Sequence, residues 1–280
     1  MSYSLNQLYQ CIGVSKQAVH QYASRQVAFD QKVEQLAREA EKLRKDHPGC
    51  GVEKMYHALN PGFMGRDRFI DTFMDLGFRI RKHKNYRRTT FAGKHFYPNL
   101  IKGMRVDRAG VIWQSDITYI LVDNKFYYAV FIIDVFSKQI VGYQLSDHMR
   151  ALANVKALRM AVKTHKPARI HHSDRGTQYT SKEYTDLLKT NKCAISMGLS
   201  AQDNAYAERI NRTIKEEYLS YWKPKNFKEL KGCLRKAVNN YNDDRPHRNL
   251  GYLKPNQHES INKTITIFDK KLISKPVNAI

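Results

Sequence analysis

Apolar residues along the chain recur first with a helical period and then with a strand period. In SLNQLYQCIGVSKQAVHQYASR at 4–25, Leu5, Leu8 and Tyr9 share a helical face, Gly13 breaks the pattern, and Ser15 stands where a helix N-cap is expected. This spacing predicts a helix-turn-helix whose second helix carries Lys16, Gln17, His20 and Gln21; an ordinary helical hairpin shares the pattern. Residues 27–46 predict a further, charged helix with Phe29, Val33, Leu36, Ala40 and Leu43 at 4-3-4-3 spacing, closed by His47, Pro48 and Gly49. About two heptads make a short coiled-coil seam, so packing within its own domain is the expected role. A second helical pair, VEKMYHAL at 52–59 and GRDRFIDTFMDLGF at 65–78, flanks NPGFM. Arg66 and Arg68 fall in the first turn of its second helix, either facing a polyanion or as solvated charges.

From about residue 104 the pattern becomes mixed α/β. Alternating β-branched and aromatic runs at 111–122, 125–136 and 139–146, joined by short polar turns, predict antiparallel neighbours. A helix at 150–164, a strand at 169–174, a helix at 181–191, a short strand near 193–198 and a helix at 203–219 follow, and another helix is expected at 227–242.

Three acidic residues fall in three different settings within this region. Asp116 interrupts the apolar run VIWQSDITYILV, where an uncompensated carboxylate is costly and a metal ion would offset its desolvation. Asp174 closes RIHHSD just before the loop RGTQYTS, at a strand tip. Glu208 lies in DNAYAERINRTIKEEYL, beside the face of Ala207, Ile210, Ile214 and Tyr218, with Arg212 and Lys215 on its own side. Two strand carboxylates and one helix carboxylate can therefore meet at one sheet edge. Asp134, on the second strand, could join the metal site but is read as pairing with a basic residue or turning the strand end, outside the catalytic set. His171 and His172 alternate across a strand, so at most one faces the acids. Glu216 and Glu217 lie eight and nine residues beyond Glu208, roughly 12–14 Å along the axis, too far to share a metal pair with it.

Charge narrows the partner. With 48 basic and 26 acidic residues the chain carries +22, which points to a polyanion and to nucleic acid before membrane. The run RIRKHKNYRR at 79–88, with Lys82, Lys84, Arg87 and Arg88 interleaved by His83 and Tyr86, suits a segment tracking a phosphate backbone. The longest apolar run, 127–136, is too short to span a bilayer and contains Asp134. The absence of a basic and apolar leader makes a cytoplasmic, DNA-associated bacterial protein the expectation. Cys11, Cys50, Cys193 and Cys233 have no zinc-ligand spacing and are expected as reduced thiols.

The segments WQSDITYI, HHSDRGTQYTS, DNAYAERINRTIKEEYL and YNDDRPHRNLGYLKPNQ at 241–257 resemble the catalytic region of OrfB-type insertion-sequence transposases, across roughly residues 46–260. The resemblance implies a retroviral-integrase-like core: a ribonuclease-H-like mixed five-stranded sheet with flanking helices, preceded by all-α helix-turn-helix segments. It implies an Asp, Asp, Glu triad of Asp116, Asp174 and Glu208 holding two Mg²⁺ ions, with Mn²⁺ as substitute. The family usually leaves about 35 residues between its second Asp and its Glu, against 33 here, a shortening that the loop near SMGLSAQDNA absorbs. Asn204 and Arg245 match family motif positions, Asn204 also standing where a cap of the Glu208 helix is expected.

The expected divisions are 1–46, helix-turn-helix and linking helix; 47–100, second helical segment and basic linker; 101–222, catalytic core; and 223–280, helical extension and tail. The expected function is binding of insertion-sequence ends with metal-dependent DNA cleavage and strand transfer. The expected partners are double-stranded DNA, a homo-oligomer formed on it, and an upstream-frame DNA-binding protein. Two other readings share these features: a sequence-directed nuclease with the same core, and a catalytically inactive DNA-binding regulator. The helix-turn-helix pattern argues against the first and the intact triad against the second.

Overall fold

The structure, a computed structural model, describes residues 4–80, 96–199 and 201–262. The chain opens with α1 (Leu5–Cys11), capped by Ser4, and turns at Gly13, whose φ of 70° suits a residue without a Cβ. The long α2 (Lys16–Asp46) begins at Ser15, whose side chain accepts from the Ala18 N–H as the sequence predicts. One expectation is corrected: the helix begun at Ser15 and the charged helix at 27–46 are a single helix of 31 residues. Nothing in RQVAFD breaks a helix, since it contains neither glycine nor proline.

The second half of α2 packs against α3 (Val52–Leu59) and α4 (Arg66–Asp75). Leu36 and Ala40 of α2, Met55 of α3, and Phe69 and Phe73 of α4 share one core, so the apolar seam of α2 is used inside this module. The core straddles the expected division at residue 46.

A five-stranded sheet follows, in the order β3-β2-β1-β4-β5: β1 (Ile112–Val122), β2 (Lys125–Asp134), β3 (Ile140–Ser146), β4 (Ile170–Ser173) and β5 (Ala194–Met197). β1, β2 and β3 pair antiparallel through short connections, whereas β1, β4 and β5 run parallel and need helical crossovers. These crossovers are α5 (Ala151–Thr164) and α6 (Lys182–Thr190), which cover one face over Trp113, Val130, Ile132 and Val141.

The other face, with Ile120, Val122, Phe131 and Ile133, is covered by α7 (Ala205–Ile214) and by α9 (Phe227–Asp243). Ala207, Ile210 and Ile214 are the buried stripe of α7, as their spacing predicts, and Leu230, Leu234 and Val238 serve α9 in the same cluster. The helix of Glu208 is less regular than its sequence pattern: a 3-10 turn (Ala201–Asn204) precedes α7, a π-helical turn (Lys215–Leu219) follows it, and α8 (Ser220–Trp222) ends it. A mixed sheet with helices on both faces is the ribonuclease-H-like arrangement. Among the described residues no helix is long and apolar enough to cross a membrane.

Candidate active site

Along β1 the residues at 114, 116, 118, 120 and 122 face α7, because successive strand side chains alternate. Gln114 anchors this face: its Nε2 donates to the Asp203 carbonyl at 3.2 Å and its Oε1 accepts from the Tyr206 N–H at 3.1 Å. Two residues along, the Asp116 carboxylate accepts from Asn211 Nδ2 at 2.8 Å, which fixes it against α7. The parallel register pairs Ser115 with Ser173, so Asp174 follows β4 at the level of Asp116 on β1. Its carboxylate accepts from the Gly176 N–H at 3.0 Å, holding the loop after the strand.

Electrostatics tie the three acids together. Although part of Asp116 reaches solvent, burial first and Asp174 second push its carboxyl up to about 8, with Glu208 adding to the rise. Burial also raises Glu208, against the opposing charge of Arg212, and Asp174 raises it further. Tyr179, whose hydroxyl lies 3.1 Å from Ser115 Oγ, is pushed well above its ordinary value by burial, then by Asp174 and Asp116. Each acid therefore feels at least one other, as like charges in one site must. Burial lowers Lys215 on the same helix, while Asp116 supports its charge. Arg212 is exposed beside Glu208. Among the described residues, no three His, Cys, Asp or Glu side chains close on one point suited to a metal ion.

Neighbouring candidates have structural partners. Asp134 turns the end of β2, accepting from the N–H groups of Gly110, Phe136 and Ser137 at 2.7–3.0 Å. His171 meets the Tyr184 hydroxyl at 2.9 Å on the α6 face, and His172 meets Ser196 Oγ at 2.9 Å. Asn204 departs from expectation: it stands at the N-cap of α7 without a side-chain cap bond, and its Nδ2 crosses to the Ser115 carbonyl at 2.9 Å. It pins the helix start to the strand of Asp116 instead. Asn211 and Tyr179 were not among the sequence candidates. Asn211, three residues past Glu208, shares its helical side and was legible by spacing; Tyr179, in a polar loop, carried no such signal.

The integrase core domain family matches residues 106–201, and a second family of the same description matches residues 191–255. Across 71% of the chain and 76% of the relative, the sequence is 31% identical to the insertion element IS600 uncharacterized 31 kDa protein of Shigella sonnei. Across 75% of the chain and 86% of the relative, it is 30% identical to the transposase for insertion sequence element IS904 of Lactococcus lactis. The chain belongs to the OrfB-type insertion-sequence transposases. The HTLV-2 integrase catalytic core domain, solved in complex with magnesium, aligns with 55% of the chain and 99% of its own length at 19% identity and a TM-score of 0.47.

The transposase presents its expected DNA-contact residues unevenly. Gln17 and His20 lie with Gln21, Ser24 and Arg25 on the exposed first turns of α2, beside Lys16. Arg66 pairs with Asp67 at 2.8 Å, and Arg68 lies over the Phe29 ring at 3.9 Å, so each already has an intramolecular partner. Lys82, Lys84, Arg87 and Arg88 lie outside the described residues. Arg212 and Lys215 flank the acids.

Proposed function

We propose that this transposase binds the ends of its insertion sequence and joins a 3′ hydroxyl to a phosphodiester of target DNA, with Asp116, Asp174 and Glu208 as the catalytic triad. The observation that carries this reading is the placement of Asp116 on β1, Asp174 just after β4 and Glu208 on α7 within electrostatic reach of one another, with Asp116 oriented by Asn211. The donor set is all oxygen, which suits Mg²⁺ or Mn²⁺, and Asn211 Oδ1 is a further buried oxygen without a protein partner beside Asp116. Asp116, Asp174 and Glu208 are the residues that would hold the ions. When bound, such a pair supplies activation of the attacking oxygen and stabilisation of the leaving one.

The chain's own groups do the rest. In the joining step the 3′ oxygen forms a bond to phosphorus while the bond from phosphorus to its former 3′ oxygen breaks, so the number of phosphodiesters is conserved. Asn211 fixes the direction of the Asp116 carboxylate. Lys215 and Arg212 offset negative charge beside the acids and take the phosphates of the bound strand. Lys16, Gln17 and His20 read duplex DNA from α2, and the basic stretch with Lys82, Lys84, Arg87 and Arg88 follows the backbone between module and core. Arg66 and Arg68 join that surface by exchanging their intramolecular partners for phosphates. Two element ends handled together call for a homo-oligomer assembled on DNA, with an upstream-frame DNA-binding protein as a further partner.

The test is incubation of the whole protein with a pre-cleaved element end and plasmid DNA in Mg²⁺ or Mn²⁺. The expected result is end DNA covalently joined to plasmid, and little joining in Ca²⁺, whose coordination is looser. Hydrolysed fragments without joined product would contradict strand transfer and favour a nuclease.

A further inference from the structure

The helix that carries Glu208 is gripped at its far end by an ion cluster outside the proposed site. Glu217 sits in the π-helical turn Lys215–Leu219, its side chain 21% exposed. Its carboxylate accepts from Arg245 through Nε at 2.7 Å and Nη2 at 2.8 Å, a two-point contact, and from Lys54 Nζ of α3 at 2.8 Å. Burial pushes Glu217 up, but Arg245 and Lys54 overcome this and hold it down at about 2.

The main chain joins the grip. The Gly49 N–H donates to the Glu217 carbonyl at 2.9 Å, and a Cβ at Gly49 would lie 2.4 Å from Glu217 Cα, so only glycine permits this approach. Beside it, His47 Nδ1 meets the Tyr218 hydroxyl at 3.1 Å. Three parts of the chain thus meet at one turn: the helical module, the Glu208 helix, and the segment after α9. The turn is also where the helix leaves regular α geometry, a departure that single π turns commonly make at functional sites.

We propose that Glu217 is a positioning residue for Glu208. By tying Lys54 of the module and Arg245 to the π turn, it locks the helix of Glu208 in place, so that the part expected to hold DNA and the part expected to react move as one body. The proposal rests on the reading of Glu208 as catalytic. Glu217 lies nine residues from Glu208, roughly 13 Å along the axis, so it acts through the helix and touches no reacting atom. In the sequence Glu217 is only too far from Glu208 to share its metal pair; the cluster gives it a role that distance does not remove.

Lys54→Met, Lys54→Arg, Glu217→Gln and the exposed-pair control Glu183→Gln test this in the full chain. Lys54→Met is the main arm because it leaves the Arg245 contact intact. Each variant is assayed for element-end affinity, single-turnover joining at saturating DNA, and amide hydrogen exchange. In Lys54→Met and Glu217→Gln, end affinity should stay within about threefold of the parent. Joining should fall about tenfold, and exchange over residues 205–219 should quicken about tenfold while β1 and β2 amides stay protected. Lys54→Arg should recover both, and Glu183→Gln should match the parent.

A folded Lys54→Met protein with parental joining and parental exchange at 205–219 would overturn the proposal, as would loosening spread equally over the sheet. Should Glu217→Gln fail to fold, Lys54→Met decides alone. If Glu208→Gln itself joins DNA, the triad and this proposal fall together. If Glu208→Gln is inert but Lys54→Met is normal, only the proposal falls.

Discussion

Asn211 donates to Asp116 from the buried side of α7, and its Oδ1 has no protein partner. Once a metal ion offsets the burial that raises Asp116, a hydrogen bond to its ionised carboxylate contributes about 1.5–3 kcal/mol, more than a neutral one. Asn211→Ala should therefore lower single-turnover joining about tenfold or more while end binding is retained. Parental joining in a folded Asn211→Ala protein would show that Asp116 needs no such orientation. Asp134 makes the contrast at this scale. It too is a strand aspartate among apolar residues, but three backbone N–H groups surround its carboxylate and fix the bend after β2. Sequence context placed both acids on strands. Only the partners separate a turn-forming acid from one that faces two other acids.

At the level of elements, alternation and helical spacing located β1 to β5, α3 to α7 and α9, because each element buries one face and the burial imposes its period. The legible part of the site follows from this: Asp116 faces α7 because Ile120 and Val122 face it too. What remained hidden depends on contacts between distant segments. The unbroken α2 is legible after all, since RQVAFD holds no glycine or proline, but the π turn coincides with the Glu217 grip, which no local pattern encodes. The cross-link from Asn204 to Ser115 replaced a local cap for the same reason.

Burial at these elements also sets an acid limit. His171 on β4 is lowered to about 3 by burial and then by His172, and His247 after α9 is lowered to about 3 by burial and then by Arg245. A histidine with a depressed folded pKa contributes stability that is full above its unfolded value and is lost as pH falls toward its folded value. Glu217, held at about 2, works in the same direction below its unfolded value. Between pH 7.5 and 5 each histidine should withdraw roughly 2 kcal/mol. Asp116, pushed up to about 8, works in the opposite direction over the same range, so thermal melts of the Asp116→Asn protein at constant ionic strength should shift down by several degrees at pH 5. Equal melting temperatures at the two pH values would mean that these rings are not held neutral in the folded protein.

The whole molecule carries a net charge of +22 and sets Arg212 and Lys215 beside its three acids. That arrangement suits a protein that holds nucleic acid broadly and reacts with it at one point. The helical module and the core are bound through α3, the π turn and the Arg245 segment, which lets binding and chemistry be separated by substitution while the fold is kept. Glu208 is the place to separate them. It is half-buried on α7, away from the Glu217 grip, and glutamine preserves its shape while removing its charge. The decisive measurement is strand joining by Glu208→Gln in Mg²⁺ and Mn²⁺, alongside its end-DNA affinity across several salt concentrations. The account predicts a folded protein with parental affinity, a parental salt slope and no joined product, whereas substantial joining by that protein would contradict the triad of Asp116, Asp174 and Glu208.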